Sequence, residues 1–209
     1  MKSEKQMIEQ EQTTEEKILE AASEVFTEKG FAGTRTRDIA EKAGINLALL
    51  NYYFRSKEKL FEAVFMNAFG KLAPQINEIF NSDDDLFEKI RKFTASYITF
   101  VIEYPFLPQF IIQEMNNNPD FVEKFLKEEQ RPNPTKLVKQ IERAIELGEI
   151  MPLSPKQLLL DIFSMTVFPF AAQTLVKGII AISDDEFIAL MEARKGHIST
   201  QIINAIQKG

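Results

Sequence analysis

Lys29, Arg35, Arg37, Lys42, Arg55, Lys57 and Lys59 stand close together in the chain against only Asp38, Glu41 and Glu58, a local net charge of +4. The 209 residues together carry −6, so the remainder sums to −10. A basic patch on an acidic carrier can face a polyanion, and it can equally be a solvated face with uneven charge. The same stretch holds Asn51, Tyr52 and Tyr53. A phenol can donate to a phosphate and pack on a base edge, and a carboxamide can bond adenine in bidentate fashion or hold a phosphate.

Other chemistries lack their tools. The chain has no Cys, which removes disulfides, thiolate metal sites and cysteine nucleophiles. His197 is the one histidine, so a histidine-based triad or a multi-histidine zinc site is not expected. No spaced carboxylate pair offers acid–base work, and Asp83 to Asp85 reads as a helix-capping cluster rather than a calcium site. We therefore expect no enzyme, no metal and no cofactor. With 44% hydrophobic and 27% charged residues the composition is that of a globular protein. The first residues are charged without a signal-like apolar core, and no uncharged run reaches the ~18 residues of a membrane span. A cytoplasmic protein with no membrane partner is expected.

Helices must position these groups, because apolar residues recur at three and four and nothing long alternates with period two. Residues 1–12 read as a flexible arm. Thr13 and Glu16 have capping-box spacing, Ile18, Ala22, Val25 and Phe26 line one face, and Gly30 suits the position after a helix end. A short helix from about Arg35 to Lys42 is closed by Gly44, Asn46 can cap another to about Phe54, and Ser56 can cap a fourth from Lys57. Ile39, Ala40, Ala43 and Ile45 would form the small core of this joint, which has the helix, glycine turn and helix of a helix-turn-helix. Beyond it, Pro74, Asn81–Asp85, Pro105, Pro108, Asn116–Pro119, Pro132, Pro134, Pro152, Pro155 and Ser183–Asp185 punctuate roughly five longer helices.

Residues 30–61, GFAGTRTRDIAEKAGINLALLNYYFRSKEKLF, resemble the DNA-binding domain of the TetR (tetracycline-repressor) family of bacterial transcription regulators. The family pattern of Gly-Phe, Thr, Asp-Ile-Ala, Ala-Gly-Val, a short helix ending in aromatic-aromatic-Phe, then Ser-Lys-Glu and Leu is reproduced in order from Gly30 to Leu60. The resemblance implies an all-α fold of about nine helices: an N-terminal three-helix helix-turn-helix domain over 13–60 and a helical ligand-binding and dimerisation domain over 61–209. It implies a recognition helix over Leu47–Phe54 with Phe54 buried. Implied DNA contacts are Thr36 and Asn46 at helix N-termini, Leu47, Ala48 and Asn51, the aromatic pair Tyr52 and Tyr53, and the phosphate-binding Lys57. Arg35 stands at the usual Thr cap position and could reach a phosphate or the minor groove. Leu47, Ala48 and Leu49 depart from the polar opening common in the family, which implies fewer polar base contacts.

The remaining chain resembles the family only in helical layout. It holds 15 of the 18 Phe. Tyr97, Phe100, Phe106, Phe110, Gln113, Phe163 and Phe168 are candidates to line an apolar effector pocket, or a Phe-rich core with no ligand. Leu158–Ile182 is apolar on more than one face and Pro169 should kink it, while 184–208 offers a second apolar stripe. The resemblance implies that these two helices pair with their symmetry mates, with Phe170, Leu175, Phe187, Met191, Ile198 and Ile202 as candidate dimer residues. One short helix reads few base pairs, so a homodimer reading two half-sites ~34 to 36 Å apart on a palindromic double-stranded DNA operator is expected. A small apolar or amphipathic effector would release it by favouring another spacing. The alternatives are an interaction protein with degraded DNA binding and a transcriptional activator on the same scaffold.

Overall fold

The computed structural model describes residues 13–117 and 132–208, with the backbone alone at 113–117. The 1–12 arm and part of the Asn116–Pro119 break lie outside the described residues. Ten helices and no strand occur among those described: α1 Thr14–Gly33, α2 Thr36–Lys42, α3 Leu47–Tyr53, α4 Lys57–Asn81, α5 Leu86–Glu103, α6 Leu107–Asn117, α7 Thr135–Glu146, α8 Pro155–Ala171, α9 Gln173–Ile180 and α10 Asp184–Ile206. They form two compact units, residues 1–67 and 68–209. The sequence places that boundary at 60/61. The first turns of α4 pack within the first unit: Leu60, Phe61, Val64 and Phe65 are buried, and Phe61 packs on Phe26 at 4.4 Å between ring centroids.

In the first unit, local chemistry sets each helix end. The Thr13 hydroxyl accepts from the Glu16 N–H while the Glu16 carboxylate accepts from the Thr13 N–H, closing the capping box at the start of α1. Gly30, at φ +65°, breaks the helical path inside α1, where the sequence expects the helix to stop. Thr34 is buried next to that break, and its hydroxyl donates to the Gly30 carbonyl at 2.7 Å. After α2, Gly44 at φ +67° lets the Ile45 N–H reach back to the Ala40 carbonyl at 3.0 Å, which turns the chain into α3. Ile39 and Ala40 are buried in this joint, whereas Ala43 and Ile45 are only half-buried.

The second unit is held by apolar side chains from α4, α5, α7, α8 and α10, with Phe93, Ile141, Ile162, Ile198 and Ile202 among the buried residues. α10 packs along α5. Asp85 caps α5 by accepting from the Glu88 N–H, and Ser183 with Glu186 forms a capping box for α10. Two proline expectations need correction. Pro74 does not end a helix: α4 runs through it to Asn81, because Leu72, Ala73, Ile76 and Phe80 around it are buried and offset the lost backbone bond. Pro169 lies inside α8, but the sharp break comes at Ala172, where α8 and α9 meet at 81°. Pro169 cannot donate to the Met165 carbonyl four residues back, and the Arg194 guanidinium donates to that oxygen instead, at 3.0 and 3.3 Å. The expected 158–182 helix is thus divided into α8 and α9.

Candidate nucleic-acid interface

α3 is short because Asn46 starts it and Phe54 stops it. The Asn46 side-chain oxygen accepts from the Leu49 N–H at 2.8 Å, and Phe54 leaves helical geometry at φ −129°. Of its seven residues only Leu50 is buried. Leu50 and Phe54 anchor the helix, and this fixes which residues project. Ala48, Asn51, Tyr52 and Tyr53 are exposed, and Leu47 and Leu49 are half-buried. Tyr52 is 80% exposed, so core packing does not account for it. Its ring stands perpendicular to Tyr53 at 5.6 Å, which presents two phenols and an adjacent carboxamide to solvent. Thr36 is half-buried as the first residue of α2, and exposed Arg35 precedes it with no side-chain capping bond.

The basic residues of this region fall into three groups. Lys29 donates to Asp38 at 2.7 Å, Lys42 pairs with Glu24 at 2.6 Å and Glu28 at 3.3 Å, and Lys59 pairs with Glu62 at 2.7 Å. The Lys29 bond holds the Asp38 carboxyl below its ordinary range, and the Glu24 and Glu28 bonds push the Lys42 ammonium above its own. Lys57 is half-buried and turned inward. Its ammonium donates to the carbonyls of Phe31 at 2.8 Å and Thr34 at 3.2 Å and sits 4.3 Å over the Phe31 ring. Arg35, Arg37 and Arg55 are exposed and form no ion pair among the described residues. The charge pattern names Arg37 and Arg55, yet the resemblance does not select them; their distinguishing signal is the absence of a partnered carboxylate.

In the second unit one apolar cleft among the described residues takes in Phe163 from the candidate effector residues. The cleft is lined by Phe80, Lys89, Ile90, Phe93, Leu137, Leu159, Ile162 and Phe163, has room for about one water molecule, and has Phe163 as its only lining residue from the expected set. Tyr97 and Phe100 pack beside the cores on either side, and the Tyr97 ring lies 5.8 Å from Phe93. Burial pushes the Tyr97 phenol up to about 12, because a phenolate there would lose its water. Phe106 and Phe110 are buried and Phe168 is exposed, while the Gln113 side chain lies outside the described atoms. Lys89 is buried with its ammonium donating to the Phe80 carbonyl at 3.2 Å, near the C-terminus of α4, where a cation complements the helix end. Asp83 and Asp84 pair with Lys136 and Lys92, which leaves Asp85 as the cap. No group of three or more metal-ligating side chains gathers among the described residues.

The expected dimer residues divide sharply. Phe170, Phe187, Met191, Ile198 and Ile202 are each at most 4% exposed in a single chain, so they are core rather than a face for a partner. Their stripe packs on α5 and α8 of the same chain, which the periodicity alone could not reveal. Leu175 is exposed, as are Leu160, Phe168, Ile179, Ile180, Ile188 and Leu190, and α9 has no buried residue at all. Exposure of that many large apolar side chains is unusual for a surface facing only water. No single helix among the described residues is long and apolar enough to cross a membrane.

Residues 18–64 match the tetR family of bacterial regulatory proteins. Over 50 residues the chain is 46% identical to the "Probable HTH-type transcriptional regulator YttP" of Bacillus subtilis (strain 168), spanning 24% of each chain. It is 29% identical over 150 residues to the HTH-type transcriptional regulator RutR of Escherichia coli (strain K12), covering 71% of this chain and 70% of RutR. The chain thus matches about a quarter of the first relative's length and about seven tenths of the second's. Among solved structures, the transcriptional regulator FadR from Bacillus subtilis in complex with stearoyl-CoA has a TM-score of 0.62 at 18% identity, over 91% of this chain and 98% of that one. At that identity the likeness is one of fold.

Proposed function

We propose that the chain, whose residues 18–64 match the tetR family of bacterial regulatory proteins, is a TetR-family regulator and a cytoplasmic, ligand-responsive transcriptional repressor. It binds a palindromic operator as a homodimer. The observation that carries this reading is α3, which buries Leu50 and leaves Ala48, Asn51, Tyr52 and Tyr53 outward. A helix of this size fits the major groove, the phenols reach phosphate oxygens and thymine methyls, and Asn51 is suited to an adenine edge. Asn46 and Leu47 open α3, and Thr36 and exposed Arg35 stand at the start of α2.

A second copy of the chain covers the apolar surface of the second unit. Leu160, Phe168, Leu175, Ile179, Ile188 and Leu190 supply an interface core, and dimerisation gives the two half-site contacts that one short helix cannot. The effector is small and apolar or amphipathic, in keeping with the apolar lining of the Phe80, Phe93 and Phe163 cleft, whose side chains must part to admit anything larger than a water molecule. It releases the operator only if it binds more tightly to a dimer whose half-site spacing mismatches the DNA. Selection of random duplex DNA by the purified protein, with sequencing of the bound fraction, tests the reading. Enrichment of one palindrome is expected; a bound fraction as random as the input would overturn it.

A further inference from the structure

Lys89 stands where a lysine is costly. It lies on α5, is 1% exposed and makes no ion pair among the described residues. Its ammonium donates to the Phe80 carbonyl in the last turn of α4 at 3.2 Å, and its other two N–H donors meet no acceptor among the described residues. The carboxylates of Asp83 and Asp84, which act on it through space, are themselves bound to Lys136 at 2.9 Å and Lys92 at 2.7 Å. Burial therefore prevails and holds the Lys89 ammonium below the ordinary lysine value. An exposed lysine reaching the same carbonyl would cap α4 at lower cost, so capping does not account for the burial.

The same side chain lines the apolar cleft of the second unit. Lys89 and Phe93 stand one turn apart on the same face of α5, which places a cation beside an aromatic wall. Opposite them α8 supplies Leu159, Ile162 and Phe163, and the Phe163 ring meets Phe93 edge-on at 5.1 Å. Phe163 is 38% exposed, so it is the lining ring on the water side. We propose that this cleft binds a monocarboxylate with an apolar body, its carboxylate on the Lys89 ammonium and its body between Phe93 and Phe163. This names the chemical class of the effector and rests on the ligand-responsive reading above. One buried ammonium balances one negative charge, whereas a phosphate monoester carries about −1.5 to −2 at neutral pH and would bury charge without a partner. The closed cleft has room for about one water molecule, so Phe163 swings outward as the apolar body enters.

Calorimetric titration of the purified protein with octanoate, 1-octanol and octyl phosphate tests the assignment. Octanoate is expected to bind about 10 to 100 times more tightly than 1-octanol, the factor that one charge-assisted contact supplies, and more tightly than octyl phosphate. Lys89→Met is expected to lose that factor for octanoate and to leave 1-octanol unchanged, while Lys89→Arg, which keeps the charge, retains part of it. In the wild type, nuclear Overhauser contacts are expected from the octanoate methylene next to the carboxylate to the Lys89 side chain, and from the rest of the chain to the Phe163 ring. That readout needs no variant to fold. Equal affinities for octanoate and 1-octanol, tighter binding of octyl phosphate, undiminished octanoate binding by Lys89→Met, or no octanoate bound at about 1 mM would overturn the proposal. Affinity for the selected duplex is measured with and without octanoate. Octanoate seated on Lys89 that leaves this affinity unchanged would instead overturn the ligand-responsive reading, and the carboxylate site would stand.

Discussion

The first unit leaves phenols, a carboxamide and guanidinium groups uncovered, whereas the second leaves leucines, isoleucines and a phenylalanine uncovered. Both bury a phenylalanine-rich interior, so the difference lies in the surfaces. A face of hydrogen-bond donors and unpaired cations suits a hydrated polyanion, whose counterions it releases. A face of large aliphatic side chains suits a partner that can exclude water, and a second copy of the same chain is the simplest one. The two units thus expose different surface chemistries, as the proposed pairing with DNA and with a second chain requires.

Substitutions sharpen or break this division, and the largest effect belongs to neither surface. Phe61→Ala should cost about 3 to 5 kcal/mol of stability by opening a cavity against Phe26 and Phe31, measured by denaturant unfolding. Met191→Ala, at 1% exposure, should cost about 2 to 5 kcal/mol in the same assay. Ile179→Glu, at 72% exposure, should leave the fold intact and shift the sedimenting species from two chains to one. If Ile179→Glu unfolds the protein and Met191→Ala merely splits the dimer, core and interface have been exchanged.

Tyr52→Ala should weaken binding to the selected operator by about 1 to 3 kcal/mol, measured by titration with labelled duplex. Its stability should stay within about 0.5 kcal/mol of wild type, as befits an exposed side chain. The smallest effect is electrostatic. Because Lys29 holds Asp38 below the ordinary carboxylate range, that bond contributes fully above the ordinary value and is lost as pH falls through the depressed one. Thermal midpoints of wild type and Asp38→Asn should therefore differ slightly at neutral pH and converge in acid.

The first unit was legible in the sequence because its structure is fixed by short-range chemistry. Thr13 with Glu16, Gly30, Gly44, Asn46 and Ser56 each act within a few residues, and each does in the fold what its spacing implies. The acceptors of Lys57 were not legible, since Phe31 and Thr34 are 26 and 23 residues away and no local pattern links them. The second unit shows the same limit on a larger scale. An apolar stripe such as Phe187, Met191, Ile198 and Ile202 has one periodicity whether it meets its own chain or a partner, and here it meets its own. Pro74 and Pro169 both lie inside helices, with buried neighbours around Pro74 and Arg194 donating to the Met165 carbonyl that Pro169 cannot reach.

The central claim is that α3 of each of two chains enters successive major grooves. A hydroxyl-radical footprint of the wild-type protein on the duplex recovered by selection tests it most directly. The account predicts two protected patches related by a two-fold axis and centred about 34 to 36 Å apart along the helix, both lost together in Tyr52→Ala at the same protein concentration. A single patch, or two patches that persist unchanged without Tyr52, would contradict it.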